Sequence, residues 1–149
     1  MSTMRIAMVL SVFSVLSVGL SMGPALMYAQ EEEVEFEDCA APCSISIVPN
    51  AATLGDKAYS PNPSEVKVGD TVTWTNDDTQ IHTATSGISP AVEAPAGGNQ
   101  TSGPDGVFDS GVLTPKSSFE FTFDQASPEG GYAYYCTLHP QMVGTIKVS

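Results

Sequence analysis

"SFEFTF", Ser118 to Phe123, places three phenylalanines on alternate positions with Ser118, Glu120 and Thr122 between them. Extended chain turns successive side chains to opposite faces, so a period of two gives a strand with one wet and one buried face. Phe119, Phe121 and Phe123 are therefore expected in a core. "TVTWT", Thr71 to Thr75, repeats the pattern, with Val72 and Trp74 set between three threonines. Trp74 is expected to be buried with them.

The same signature extends along most of the chain. "SISIV" (Ser44 to Val48), "EVKV" (Glu65 to Val68), "YAYYC" (Tyr132 to Cys136) and "GTIKV" (Gly144 to Val148) are short segments rich in branched and aromatic residues, separated by Gly, Pro, Asn and Asp. No helical periodicity is sustained after residue 30, and no internal repeat is found. Short strands with frequent turn signals predict an all-β sandwich or barrel. Gly69-Asp70 reads as a tight turn joining neighbouring strands. The stretch from Ser86 to Asp105 shows neither period and is expected to be a functional loop or a surface insertion. It contains Asn99-Gln100-Thr101, a glycosylation-type sequon.

The chain has 149 residues, enough for one small domain once its start is set aside. Arg5 precedes an uncharged apolar run, Ile6 to Ala29, which has the charge order of a secretory leader; the run is also long enough to cross a bilayer as an uncleaved anchor. Export is expected in either case, to the periplasm or the outer face of the membrane. Residues 1–30 are thus read as leader or anchor, 31–43 as an acidic tether carrying a cysteine pair, and 44–149 as the domain. "EEEVEFED", Glu31 to Asp38, is expected to be a solvated spacer. Cys39 and Cys43 lie close together in "CAAPC", and an oxidising compartment favours a local bridge between them, leaving Cys136 free. With 17 acidic against 5 basic residues and a net charge of −12, nucleic acid is not a partner this chain is built to bind.

"YYCTLHPQMVG", Tyr134 to Gly144, packs Cys136, His139 and Met142 into seven residues. A thiolate, an imidazole and a thioether suit a soft or borderline metal, and two imidazoles, one thiolate and a weak methionine are the donor set of electron-transfer copper. The second imidazole has one remaining source, His82, which follows the strand Thr71 to Thr75 through the polar turn "NDDTQI". Zinc is disfavoured because thioether is a poor zinc ligand. A dinuclear copper centre would need two cysteines in the loop. Two histidines serving one metal leave none for a second, histidine-rich copper centre, so a self-contained copper oxidase or nitrite reductase is not expected.

"CTLHPQM", with "HTATSG" and "FDSGVLTPKSSFEFTF", resembles the plastocyanin/amicyanin-like cupredoxins, small blue copper proteins; the short Cys-x-x-His-x-x-Met loop is most similar to that of the amicyanins, whereas plastocyanins and pseudoazurins share the ligand order with a longer gap before Met. The resemblance covers about Ile45 to Ser149. It implies an eight-stranded Greek-key β-sandwich, one type 1 copper with His82, Cys136 and His139 as equatorial ligands and Met142 as the axial one, and one-electron transfer between a donor and an acceptor protein. Gln141 stands where many relatives carry a bulky apolar residue, which implies a weaker apolar docking patch around His139.

On this reading the protein is a carrier and not an enzyme. A main-chain N–H pointing at the Cys136 sulfur would tune the site, with Thr83 and Asn76 as candidates for the surrounding hydrogen bonds. Electrons would pass at the edge of His139, beside Pro140, and the acidic surface would steer a partner with a basic docking surface. Two other functions use the same ligands: copper delivery, and a copper enzyme acting on a small molecule such as nitric oxide. Delivery would favour exposed methionine-rich loops, whereas only Met142 lies outside the leader; an enzyme would need an open position that Met142 closes.

Overall fold

The computed structural model describes residues 35–92 and 101–149. The leader or anchor, the first residues of the acidic run and the Asn99-Gln100 part of the sequon lie outside the described residues. The described chain forms ten strands: β1 (Glu37–Asp38), β2 (Cys43–Ile47), β3 (Tyr59–Ser60), β4 (Ser64–Val66), β5 (Thr71–Asn76), β6 (Thr85–Ile88), β7 (Gly103–Asp109), β8 (Ser118–Thr122), β9 (Tyr132–Tyr135) and β10 (Val143–Val148). They make a two-sheet sandwich. One sheet runs β1-β4-β10-β9-β6-β7 and the other β3-β2-β5-β8.

The alternation read in "TVTWT" is realised strictly along β5, where Val72, Trp74 and Asn76 are buried and the threonines between them are half-buried. Trp74 is fully buried and is surrounded by rings from both sheets: Phe108 at 5.0 Å, Tyr134 at 5.7 Å and Phe119 at 5.8 Å between centroids. Burying a large apolar side chain contributes roughly 1.5–3 kcal/mol, so this cluster is what holds the two sheets face to face. Of the three phenylalanines in "SFEFTF", Phe123 is buried, while Phe119 and Phe121 are half-buried and packed against the core. The cause is position: β8 pairs only with β5 and lies at the edge of its sheet, so the core covers it from one side.

Gly69-Asp70 does make a turn, with Gly69 at φ 94° and the Asp70 carboxylate accepting the Lys67 N–H, but the strands it joins are not neighbours. β4 belongs to one sheet and β5 to the other, so the turn carries the chain across the sandwich.

The region from Ser86 to Asp105, expected to be without strands, contains most of β6 and the start of β7. Gly87 explains the discrepancy. A Cβ at this position would come within 2.1 Å of the Gly103 carbonyl oxygen, and φ is 128°, so glycine is needed where the two backbones meet at an irregular register between Thr85 and Gly87. In the sequence this glycine reads as a breaker; in the structure it permits a bulged pairing.

Glu37 and Asp38, read as spacer, pair in parallel with Ser64 and Glu65 of β4. Cys39 and Cys43 form a disulfide that ties this added strand to β2 of the opposite sheet. Cys136 is free and buried.

Strand directions put the key junctions at one end. β5 runs parallel to β2 and ends at Asn76; β9 ends at Tyr135, opposite Thr85 at the start of β6 and Val143 at the start of β10. The β5–β6 connection carries His82, and the β9–β10 connection carries Cys136, His139 and Met142. Both therefore emerge at the same pole, with Cys43 and the disulfide at the other.

Candidate metal centre

His82 sits on an isolated bridge to Leu113: its N–H donates to the Leu113 carbonyl at 3.1 Å and its carbonyl accepts the Leu113 N–H at 2.8 Å. The β7–β8 connection thus braces the residue on one side. Asn76 braces it on the other, donating from Nδ2 to the Gln80 and Leu113 carbonyls and accepting the Asp78 N–H. Asn76 makes no hydrogen bond to Cys136 or to either histidine; its part is to hold the turn that carries His82.

The loop bearing the other three residues is closed by its own main chain. The Cys136 N–H donates to the Met142 carbonyl at 3.1 Å, and the Met142 N–H donates to the His139 carbonyl at 2.9 Å. The Gln141 side chain donates to the Ala52 carbonyl, and Ser89 Oγ donates to the Pro140 carbonyl. Every residue from His139 to Met142 is tied down, which leaves the loop little freedom to rearrange.

Three of the four predicted residues come together, and Met142, the fourth, is buried on the same loop as Cys136 and His139. Cys136 Sγ lies 3.9 Å from His82 Nδ1 and 3.7 Å from His139 Nδ1, and the three ligand atoms all fall within 4.8 Å of one another. A metal with bonds of about 2.3 Å to sulfur and about 2.0 Å to nitrogen, spread trigonally, would separate sulfur from nitrogen by roughly 3.8 Å. The observed spacings fit such an ion. His82, Cys136 and Met142 are fully buried, while His139 is half-buried. Two imidazole nitrogens and a thiol converging in this way, with the buried Met142 on the same loop, make a type 1 copper site.

The tautomer of His82 is set by a residue the sequence reading missed. Asp78 Oδ2 lies 3.0 Å from His82 Nε2, and both residues are buried. Burial pushes the Asp78 carboxyl up, but the hydrogen bond from His82 and two main-chain N–H donors outweigh it and bring it down to about 2. An ionised carboxylate can only accept, so the proton of His82 stays on Nε2 and the Nδ1 lone pair faces the sulfur. The available signal was an acid one helical turn's spacing before the histidine, in "DTQIH".

The Cys136 sulfur receives the expected main-chain donor: the Thr83 N–H points at Sγ from 3.3 Å. Thr83 also joins the two connections, because its hydroxyl accepts the Thr137 N–H at 2.9 Å and its carbonyl accepts the Tyr59 hydroxyl at 2.7 Å. Burial, then Tyr134 and Cys136, push the Tyr59 hydroxyl well above its usual pKa, so it stays a neutral donor.

Residues 47–149 match the family described as copper binding proteins of the plastocyanin/azurin type. Amicyanin of Paracoccus denitrificans is 26% identical over 140 residues, covering 76% of this chain and 95% of its own. Among solved structures, a purple cupredoxin from Nitrosopumilus maritimus is similar with 34% identity and a TM-score of 0.54, covering 71% of this chain and 98% of that one. A reduced amicyanin mutant is 28% identical with a TM-score of 0.45, over 71% of this chain and 80% of its own. The chain belongs to the plastocyanin/azurin family of copper-binding proteins.

Proposed function

We propose that this protein is an exported carrier of single electrons between a donor and an acceptor protein. The observation that carries the reading is the convergence of His82, Cys136 and His139 within 4.8 Å on two braced connections at one pole of the sandwich. Copper bound there supplies a one-electron couple, with Met142 as the weak fourth donor. The chain's own part is to keep the donors still: Asp78 fixes His82, Thr83 spans the two connections, and the loop hydrogen bonds hold His139 and Met142. A donor set that does not move between oxidation states leaves little reorganisation to slow each transfer.

His139 is the least buried of the four and is the natural point of contact with a partner. Exposed aliphatic residues neighbour the site in sequence: Leu138 next to His139, Ile81 next to His82, and Val112 next to Leu113, whose main chain bonds His82. Leu54 adds a fourth, on the turn to which Gln141 is bonded through Ala52. These side chains support an apolar docking patch despite the polar Gln141. The acidic remainder favours a partner with a basic surface. Export is supported by the charge order of the leader and by the Cys39–Cys43 bridge, which persists in an oxidising compartment.

The test is redox cycling of the copper-loaded protein. Repeated reversible oxidation and reduction by one electron per copper, with metal content unchanged, is the expected result; transfer of the copper to an acceptor protein would favour delivery instead.

A further inference from the structure

Asp109, Thr85 and Tyr135 stand side by side across β7, β6 and β9, with Thr85 in register with both neighbours. Cys136 follows directly after Tyr135. Thr85 is buried, and its hydroxyl lies 2.9 Å from Asp109 Oδ1 and 3.0 Å from Thr83 Oγ1. Thr83 Oγ1 in turn accepts the Thr137 N–H, and the Thr83 N–H points at the Cys136 sulfur. An unbroken run of hydrogen-bond contacts therefore leads from an exposed carboxylate to the Thr137 N–H, directly after Cys136, through a residue whose own N–H meets the Cys136 sulfur. The Asp109 carboxylate is itself held, accepting the Gly111 N–H at 3.0 Å.

We propose that Thr85 and Asp109 are positioning residues for the metal centre. Both act through the side chain of Thr83, whose main chain is already held by its neighbours' bonds to Leu113 and Ser110. A carboxylate can only accept, so it draws the single Thr85 proton and holds the Thr85 oxygen in place against Thr83. The Thr83 hydroxyl is thereby kept in the rotamer that receives the Thr137 N–H. Freed from Thr85, it can turn about its first side-chain torsion and release the Thr137 N–H beside Cys136, while the Thr83 main chain stays pinned through His82 and Ala84. A low local dielectric strengthens such a linked series relative to its separate bonds.

The proposal rests on the copper reading, but its first test needs no metal. Hydrogen exchange is measured on the metal-free full-length protein, comparing the Thr83 and Thr137 amides with that of Trp74 in β5. Thr85→Val, which keeps the shape and removes the hydroxyl, is expected to speed exchange at Thr137 about tenfold while leaving Thr83 and Trp74 unchanged, and Thr85→Ser is expected to restore it. Asp109→Ala, at the surface, removes the acceptor and gives the same local pattern if Thr85→Val does not fold. In the copper-loaded protein the charge-transfer band and the reduction potential should shift in Thr85→Val and Asp109→Ala but not in Thr85→Ser. Unchanged exchange at Thr137 in both variants, or acceleration spread equally to Trp74, would overturn the proposal. A wild-type protein that takes up no copper would sink the metal reading and leave the amide result to decide this one.

Discussion

Asp78 Oδ2 and His82 Nε2 are 3.0 Å apart at a buried site, so a carboxylate orients the one histidine of the metal centre that solvent does not reach. Partners of this kind fix the tautomer and ring orientation of a metal-ligating histidine and raise its basicity. Asp78→Asn keeps the shape but removes the charge that holds the proton on Nε2. Copper affinity, measured by chelator competition, is expected to fall by about 10- to 100-fold. An unchanged affinity would show that His82 is oriented by its Leu113 bridge alone.

Gly144 offers a test of the packing beneath the loop. It lies opposite Tyr134 in the β9–β10 register, and a Cβ on it would come within 2.2 Å of the Tyr134 ring. Tyr134 is fully buried and also packs edge-on against Tyr59 at 4.7 Å, so it has no room to retreat. Gly144→Ala should cost about 1–3 kcal/mol in urea denaturation. Wild-type stability in this variant would mean that the ring moves freely.

The Cys39–Cys43 bridge closes a short loop at the pole away from the metal donors, since Cys43 pairs with Val72 while Ile47 pairs with Asn76. Removing it in Cys39→Ser/Cys43→Ala is expected to cost about 2 kcal/mol by the loop-closure relation, with the copper spectrum unchanged. A shifted spectrum would show that the two poles are coupled.

The sequence made the site more legible than the sheets. Cys136, His139 and Met142 could be read because chemistry demands those donors and the loop holds them within seven residues; His82 followed from the supply of histidines. Strands with alternating patterns, such as "TVTWT", were equally plain. β6 and β7 were not, because Gly87 and Pro104 read locally as breakers, and their pairing comes from the neighbouring backbone. Asp78, Thr85 and Asp109 were also missed. Their roles depend on register and close approach across strands or turns, which residue type alone does not show.

Charge should govern how the protein meets its partner. With a net charge of −12, association with a basic redox protein is expected to slow as ionic strength rises, because salt screens exposed charges beyond about 8–10 Å. Stopped-flow association rates across a salt series test this; a rate indifferent to salt would leave apolar contact around His139 as the sole basis of docking.

The most direct measurement is the visible spectrum of the purified protein with Cu(II). An intense thiolate-to-copper charge-transfer band that disappears in Cys136→Ser is the expected result. A wild-type protein without that band, or a band that survives the loss of the sulfur, would contradict the assignment of His82, Cys136, His139 and Met142 to a single type 1 copper.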